Sequence, residues 1–217
     1  MNLLNILFPP KCVLCRKVLE HHEKDICAKC EREIPVCPKS KTKLPFIESW
    51  TALWFYEDDV RKSLLRYKFG YRRSYARNYG SLLAKKLQAE YPEGFDILTW
   101  VPISPLRKLK RGFDQVEKLA LALEEPMGMK PARTLKKIRH NRPNSGISGQ
   151  AHRRANVLGA YKAVNTQQLW GKRVLLLDDI ITTGATAGEC ARMLLTAGAR
   201  EVYVGAVAKA RHDSKIK

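Results

Sequence analysis

Two carboxylates and a threonine-rich turn stand next to each other late in this 217-residue sequence. The apolar run at residues 173–177 predicts a buried strand, and Asp178 and Asp179 follow it directly. A turn at residues 182–186 opens a predicted helix over residues 184–197. Backbone N–H groups at a helix N-terminus bind phosphate, and carboxylates at a strand end accept hydrogen bonds from sugar hydroxyls. The segment therefore predicts a sugar-phosphate site; the alternative is a strand that leads into an ordinary threonine-capped helix.

A basic segment follows a second predicted strand at residues 96–103. Its four cations are Arg107, Lys108, Lys110 and Arg111. We expect residues 106–112 to form a loop at the carboxyl end of a neighbouring strand, where they would supply positive charge to a phosphorylated ligand. A solvated run of charges is the alternative.

Four cysteines form two C-x-x-C pairs near the start of the chain. They are Cys12, Cys15, Cys27 and Cys30. Each pair supplies two thiolates from one turn, so that two pairs complete the tetrahedral ligand set that Zn²⁺ prefers. Because protein ligands fill all four positions, the predicted zinc is structural; the alternative is reduced cysteines in a core. Cys37 is either a spare ligand or a packing residue, and Cys190 is expected in the core.

The charge of the chain is strongly positive, with 40 Lys and Arg against 21 Asp and Glu and a formal net charge of +19. Such a charge favours polyanionic partners: nucleic acid, an anionic membrane surface or phosphorylated small molecules. The short apolar run at residues 2–8 does not fit a secretory signal, and no run has the length of a membrane span. We therefore expect a cytoplasmic protein.

The positive charge is concentrated in two stretches without any acid, residues 60–89 and 126–177. In the first stretch, tyrosines recur every four residues at Tyr67, Tyr71, Tyr75 and Tyr79. Aromatic rings beside cations are typical of surfaces that bind single strands; the alternative is tyrosines that face the core. The candidate nucleic-acid contacts are Arg61, Lys68, Arg72, Arg73, Arg77, Arg139, Arg142 and Arg153.

The remaining predicted elements complete an alternation of strands and helices. They are strands at 50–56, 133–139 and 201–208, a helical stretch at 58–91 broken near Gly70, a helix at 112–125 and a flexible loop at 141–149. This order predicts an α/β fold with a mostly parallel sheet and helices on both faces. We expect a zinc-binding knuckle at residues 1–45 and a second domain at 46–217, of which 46–95 are a basic helical lead-in.

These features together resemble the ComF family, and its ComFC branch in particular, over almost the full chain. The resemblance rests on residues 7–10, the four paired cysteines, residues 67–69, 101–102, 111–115 and 119–120, then Gln150, Arg153, Asn156 and Val157, and residues 178–186. Two positions depart from the family pattern. Asp114 stands where asparagine is more frequent, and Ser40 stands where many relatives have a further cysteine.

The resemblance implies a type I phosphoribosyltransferase-like domain that binds phosphoribosyl pyrophosphate (PRPP), with Mg²⁺ carried by the pyrophosphate. It implies that Asp178 and Asp179 hold the ribose hydroxyls and form the catalytic set with Arg111. The implied PRPP-binding residues are Ile181, Thr182, Thr183, Gly184, Ala185, Thr186 and Arg107.

The resemblance also implies a role in natural transformation. The protein would handle incoming single-stranded DNA together with a competence helicase or the DNA-uptake machinery, and its charge is compatible with association at the membrane surface. Two alternatives stay open. The first is an active phosphoribosyltransferase that acts on an unidentified nitrogen nucleophile, and the second is an adaptor whose knuckle and basic surface dock a helicase or channel.

Overall fold

A four-stranded parallel sheet forms the centre of the structure, a computed structural model that describes residues 9–40, 42–141 and 149–211. Its strands, in spatial order, are β1 (Ser49–Phe55), β6 (Glu201–Lys209), β5 (Arg173–Ile181) and β2 (Ile97–Trp100). A second sheet pairs β3 (Leu135–Lys137) with β4 (Tyr161–Ala163) in antiparallel orientation. The helices are α1 (Ala28–Glu33), α2 (Asp58–Phe69), α3 (Tyr75–Glu90), α4 (Pro105–Arg111), α5 (Gln115–Met127), α6 (Gln150–Val157) and α7 (Ala185–Thr196).

The central sheet is covered on both faces, because alternate side chains of its strands enter two separate hydrophobic clusters. In β5, Leu175 and Leu177 pack with α2, α3 and α5, whereas Val174 and Leu176 pack with α7. Apolar runs that are buried on both faces are typical of parallel strands. The predicted fold class, a mostly parallel sheet with helices on both faces beside a small N-terminal zinc-binding knuckle, is confirmed. Cys190 lies in the second cluster, in the core as predicted.

Helices α3 and α5 approach each other closely on one face of the sheet. A Cβ atom at Gly80 would fall 2.8 Å from the Cβ of Ala122 and 2.9 Å from its carbonyl oxygen. Glycine at this position therefore allows the two backbones to meet without a clash. The contact holds α5, whose first residue belongs to the candidate site.

Two predicted boundaries near the candidate site are wrong. Strand β5 continues through both aspartates to Ile181, whereas the sequence predicted an end at residue 177. The basic segment 106–112 forms the helix α4 rather than a loop. Ser104 caps this helix with its side chain, and Pro105 occupies its first turn, where a missing N–H costs nothing.

Other elements agree with the prediction to different extents. Strand β1 and the helical stretch that breaks after Phe69 match closely, while β2 and β3 are shorter than predicted and α5 begins at Gln115 rather than at residue 112. The sequence did not predict α1, α6, β4 or the 3-10 turn Thr166–Gln168. In the predicted loop at 141–149, residues 142–148 lie outside the described residues.

The four regularly spaced tyrosines do not share one surface, because α2 ends before Tyr71. Tyr67 and Tyr79 are fully buried, with ring centroids 5.5 Å apart in an edge-on contact. Tyr71 lies between the two helices and is 71% exposed. The core-facing alternative therefore holds for Tyr67 and Tyr79, and the single aromatic stripe is wrong.

The N-terminal knuckle packs directly on helix α2. Val13 and Leu14 are buried in the same hydrophobic cluster as Leu64. The backbone carbonyl of Val13 accepts a hydrogen bond from the Ser63 hydroxyl, and that of Leu14 accepts one from the Arg66 guanidinium. Among the described residues, no helix is both long and apolar enough to cross a membrane.

We expect Leu123→Ala to destabilise the protein by about 2–5 kcal/mol, because it opens a cavity between α5 and the sheet. Leu123 is 0% exposed, whereas Leu121 on the same helix is 48% exposed and provides the control substitution Leu121→Ala. Urea unfolding of the two zinc-loaded variants measures the difference. Equal unfolding free energies would contradict this packing of α5.

Candidate sugar-phosphate site and zinc centre

Asp178 and Asp179 lie at the carboxyl edge of the central sheet, where β5 extends beyond β2. The last residue of β2, Trp100, pairs with Leu177, and the following residues of β5 pair with β6. The two aspartates are 9% and 8% exposed. Burial of adjacent carboxylates is unfavourable unless hydrogen bonds and cations compensate it.

The carboxylate of Asp179 is compensated at both of its oxygens. The ammonium of Lys68, in the last turn of α2, lies 2.9 Å from Oδ1. The side-chain amide of Gln115, the first residue of α5, donates to Oδ2 at 2.7 Å. Both partners are mostly shielded from solvent, since the Lys68 side chain is 15% exposed and Gln115 is buried. The ends of two helices therefore meet at this one carboxylate.

Three consecutive residues of α2 reach the same network. Tyr67 donates its hydroxyl to the backbone oxygen of Gln115 at 2.6 Å, and Lys68 follows it in the chain. Phe69 lies under the guanidinium of Arg111, 5.0 Å from its ring centroid. Arg111 in turn donates to Oε1 of Gln115 at 2.8 Å. Arg111 is therefore connected to Asp179 through one glutamine side chain.

The second carboxylate, Asp178, differs electrostatically from the first. Its Oδ1 accepts a hydrogen bond from the backbone N–H of Asp179 at 2.8 Å. Burial, followed by the negative charge of Asp179, raises the pKa of Asp178 to about 8. Asp178 therefore retains a proton near neutral pH and can donate as well as accept a hydrogen bond.

A buried lysine lies on the small sheet beside Asp178. Lys137 donates to the Tyr161 hydroxyl at 3.0 Å, and both residues are less than 10% exposed, at 7% and 3%. Burial, followed by the charge of Arg107, lowers the pKa of Lys137 to about 8. Lys137 belongs to the second acid-free stretch, but the sequence did not indicate that it is buried or that it pairs with Tyr161, because this orientation depends on the β3–β4 pairing.

Asp114 joins two segments of the site. Its Oδ1 accepts the N–H groups of Val116 and Glu117 at 2.9 and 3.2 Å, which caps α5, and its Oδ2 accepts the N–H of Ile103 at 3.1 Å. Three N–H donors suit a carboxylate, which offers acceptors alone. Aspartate at position 114, where the family more often has asparagine, therefore suits the three N–H donors that it meets in this chain.

The threonine-rich turn connects β5 to α7. Gly184 adopts a φ of +76°, in the left-handed region, and immediately precedes the helix. The Thr183 hydroxyl accepts from the N–H of Ala185 at 3.4 Å, and the Thr182 carbonyl accepts from the Lys209 ammonium at 2.7 Å. The side chain of Leu44 covers Gly184, since a Cβ there would fall 2.8 Å from Leu44. Ile181 and Thr183 are buried, and Thr186 is partly exposed.

Arg107 extends from α4 toward the segment that follows β3. It donates to the backbone oxygen of Asn141 at 2.7 Å, and Ser104 forms a hydrogen bond with Nδ1 of His140 at 2.9 Å. Asn141 donates its side-chain amide to the backbone oxygen of Asn156 in α6. The described start of the predicted loop is thus fixed to α4 and α6.

The candidate nucleic-acid residues divide into separate groups. Arg61, Arg72, Arg73 and Arg77 are exposed on α2, α3 and the turn between them. Lys68 does not join them, because its side chain is mostly buried in the ion pair with Asp179. Arg139 is exposed and donates to Leu158, Arg153 is partly exposed on α6, and Arg142 lies outside the described residues.

The four paired cysteines converge in the knuckle. Their sulfur atoms all lie within 4.8 Å of one another, and the Cys15 and Cys27 sulfurs are 3.6 Å apart. A tetrahedral zinc with Zn–S bonds of about 2.3 Å separates its sulfurs by about 3.8 Å, so the arrangement fits one structural Zn²⁺. Cys37 is buried outside this cluster, among residues of the second hydrophobic cluster, and it packs rather than ligates.

The described residues form a parallel α/β fold beside an N-terminal four-cysteine cluster that fits a structural zinc ion. A family model described as a double zinc ribbon domain matches residues 3–48. Among solved structures, the glutamine PRPP amidotransferase from B. subtilis, complexed with ADP and GMP, is 28% identical, with a TM-score of 0.45. That match covers 65% of this chain and 30% of the amidotransferase, so the chain spans less than a third of that larger protein.

Curated relatives match nearly the whole chain. Competence protein F from Haemophilus influenzae is 26% identical, and the match covers 97% of this chain and 100% of the relative. Competence protein ComFC from Streptococcus pneumoniae is 27% identical, covering 88% of this chain and 96% of the relative. The resemblance to the ComF family, and to its ComFC branch, is therefore confirmed.

The structure brings together most of the predicted pocket residues and adds others. Asp178, Asp179 and Arg111 lie in one network, but Arg111 reaches the acid pair through Gln115. The additions are Lys68, which the sequence predicted as a nucleic-acid contact, and Gln115, to which it assigned no role. Both belong to the short motifs that carry the family resemblance, and those motifs are the signal that could have identified them.

We expect Cys12→Ser to lower bound zinc from about one ion per chain to a small fraction, because three thiolates bind Zn²⁺ less tightly than four. The control Cys37→Ser should retain about one ion. Elemental analysis of the purified proteins measures the ratio. Equal zinc loss in both variants would show that Cys37 is a ligand.

The raised pKa of Asp178 gives a pH-dependent stability. The Asp178 carboxyl has a pKa of about 4 in the unfolded chain and about 8 in the folded protein. Its contribution to the free energy of unfolding is therefore fully present below about pH 4 and is lost as the pH rises through about 8. We therefore expect Asp178→Asn to gain stability relative to the wild type as the pH rises, by up to about 1.4 kcal/mol per pH unit. Urea unfolding at several pH values tests this, with the exposed Asp96→Asn as control. Parallel curves for Asp178→Asn and the wild type would contradict the raised pKa.

Proposed function

We propose that the protein binds PRPP at the carboxyl edge of its sheet and single-stranded DNA on its basic surface, in the service of competence-related DNA uptake. The observation that carries the proposal is the buried acid pair, held by Lys68 and Gln115 beside a threonine-rich turn at a helix N-terminus. The names of the curated relatives support the competence role.

In the proposed complex, Asp178 and Asp179 accept hydrogen bonds from the ribose hydroxyls. The turn from Ile181 to Thr186 holds the 5′-phosphate with its N–H groups and hydroxyls. Arg107 and Arg111 face the pyrophosphate. Where Mg²⁺ is present, it enters with the pyrophosphate and neutralises part of its charge. Among the described residues, the four-cysteine cluster is the sole protein-built group of three or more potential metal ligands.

The proposed DNA surface comprises the exposed arginines Arg61, Arg72, Arg73 and Arg77 and two exposed aromatic rings. Phe69 is 60% exposed and Tyr71 is 71% exposed, and both lie beside these cations in the chain. Cations that follow a phosphate backbone and rings that stack on bases are the two components of sequence-tolerant single-strand binding. Arg139 and Arg153 extend the proposed surface along the second acid-free stretch, and Arg142, which lies outside the described residues, stays a contact predicted from the sequence.

The partners in this proposal are a competence helicase or another component of the DNA-uptake machinery. We propose that they meet the protein in the cytoplasm, where the thiolates of a zinc site stay reduced. Such a complex could associate with the membrane surface through its positive charge.

Phosphoribosyl transfer is a second candidate function, and the intact acid pair beside Arg111 favours it. In that reaction the bond from C1 to pyrophosphate breaks, a C1–N bond forms to a nitrogen nucleophile, and the nucleophile loses a proton. Release of pyrophosphate in a screen of nitrogen nucleophiles would support transfer. Binding of PRPP without release under all nucleophiles would favour a ligand-sensing role.

We expect the triple substitution Arg72→Met, Arg73→Met, Arg77→Met to weaken the binding of a labelled oligothymidylate. The slope of log affinity against log salt should become shallower by about 2, since each phosphate contact on a single strand contributes about 0.7. A matched control, Lys130→Met, Lys172→Met, Arg200→Met, removes three exposed cations outside the proposed surface. Fluorescence anisotropy measures both variants. A salt slope of the Arg72, Arg73 and Arg77 variant that equals the slope of the wild type would refute the proposed DNA surface. Calorimetry that detects no PRPP binding would refute PRPP as the ligand.

A further inference from the structure

The acid pair is surrounded by cations rather than by the oxygen ligands of a metal ion. Lys68 forms an ion pair with Asp179 at 2.9 Å, and Arg111 is linked to the same carboxylate through Gln115. The charge of Lys137 also acts on Asp178. A phosphorylated ligand that enters this pocket therefore meets positive charge supplied by the protein itself.

The donor set does not fit a magnesium ion held by the acid pair. Mg²⁺ requires nearly octahedral oxygen ligands at about 2.1 Å. Both oxygens of Asp179 already accept hydrogen bonds, one from an ammonium and one from an amide, and one oxygen of Asp178 accepts the N–H of Asp179. A divalent ion bound to Asp179 would also be repelled by the Lys68 ammonium.

The position of Lys68 is fixed before any ligand arrives. Its neighbour Tyr67 is fully buried and is hydrogen-bonded to the backbone of Gln115, while Phe69 packs against the Arg111 guanidinium. The Lys68 side chain is 15% exposed and adopts one ion-paired arrangement. A cation that is already ordered loses little conformational entropy when a ligand binds. Its charge therefore acts in the free protein as well as in the complex.

We propose that Lys68 and Arg111 replace the divalent cation in ligand binding, so that the pocket binds phosphorylated pentoses without Mg²⁺. Lys68 neutralises Asp179, which removes the repulsion between that carboxylate and the phosphates of the ligand. The lone pairs of Asp179 that Lys68 and Gln115 leave free accept the ribose hydroxyls, because a carboxylate has about four acceptor positions. The inference rests on the proposed function, since it names the charge requirement of the proposed PRPP site.

Isothermal titration of PRPP, with and without Mg²⁺, tests the inference on the zinc-loaded full-length protein. The buffer is freed of divalent ions by a chelating resin instead of a dissolved chelator, so that the thiolate-bound zinc is retained. We expect the Kd of the wild type to change less than threefold when Mg²⁺ is omitted. Wild-type binding that requires Mg²⁺ would overturn the inference and leave the proposed PRPP site in place. Absence of binding in both buffers would overturn the proposed function itself.

Two substitutions on helix α2 separate the role of Lys68 from a general loss of charge. We expect Lys68→Met to weaken Mg²⁺-free binding at least tenfold and added Mg²⁺ to restore much of it, whereas Lys68→Arg should bind without Mg²⁺. The control Lys62→Met removes an exposed cation paired with Asp59 and should match the wild type in both buffers. Zinc content and circular dichroism establish that each variant is folded. If folded Lys68→Met binds like the wild type without Mg²⁺, the assignment of Lys68 is wrong.

Discussion

A buried strand cannot contain two adjacent carboxylates unless other groups compensate their charge, and this requirement organises the candidate site. Asp179 receives an ammonium from the end of α2 and an amide from the start of α5. Asp178 is stabilised by a proton and by a backbone N–H. The end of α2, the start of α5 and, through Arg111 and Gln115, the end of α4 therefore converge on one charged network.

The pocket and the exposed basic surface are built from neighbouring residues of one short segment of the chain. Residues 67–69 place one side chain in the core, one in the pocket and one at the rim, and the exposed Arg72 and Arg73 follow within a few positions. Such an arrangement puts the phosphorylated sugar and the nucleic acid of the proposed function a short distance apart. Because both ligands are anionic, each would be expected to alter the electrostatic environment of the other.

Local patterns determined how much of the structure could be predicted from the sequence. Apolar runs, helical spacing and the threonine turn identified the sheet, the main helices and the zinc ligands, since these signals lie within short segments. The extension of β5 to Ile181 was not predictable in this way, because Gln115, one partner that permits it, lies 64 residues from Asp179. Lys137 faces inward because of the β3–β4 pairing, which no local pattern indicates. Helix α4 was missed although Ser104 and Pro105 mark its start, because its charges suggested a loop.

Helix α2 is a rigid connection between the metal centre and the pocket. It has 12 residues and is about 18 Å long, and Ser63 and Arg66 bind the backbone of the first cysteine turn while Lys68 reaches the acid pair. Arg66 and Lys68 lie in the same last turn of α2, so the first cysteine turn and the acid pair contact neighbouring residues of one rigid segment. A displacement of the first cysteine turn would therefore move the Lys68 ammonium with it. Sequence drift in that turn is thus limited by the charge balance of the carboxylates as well as by the zinc ligands.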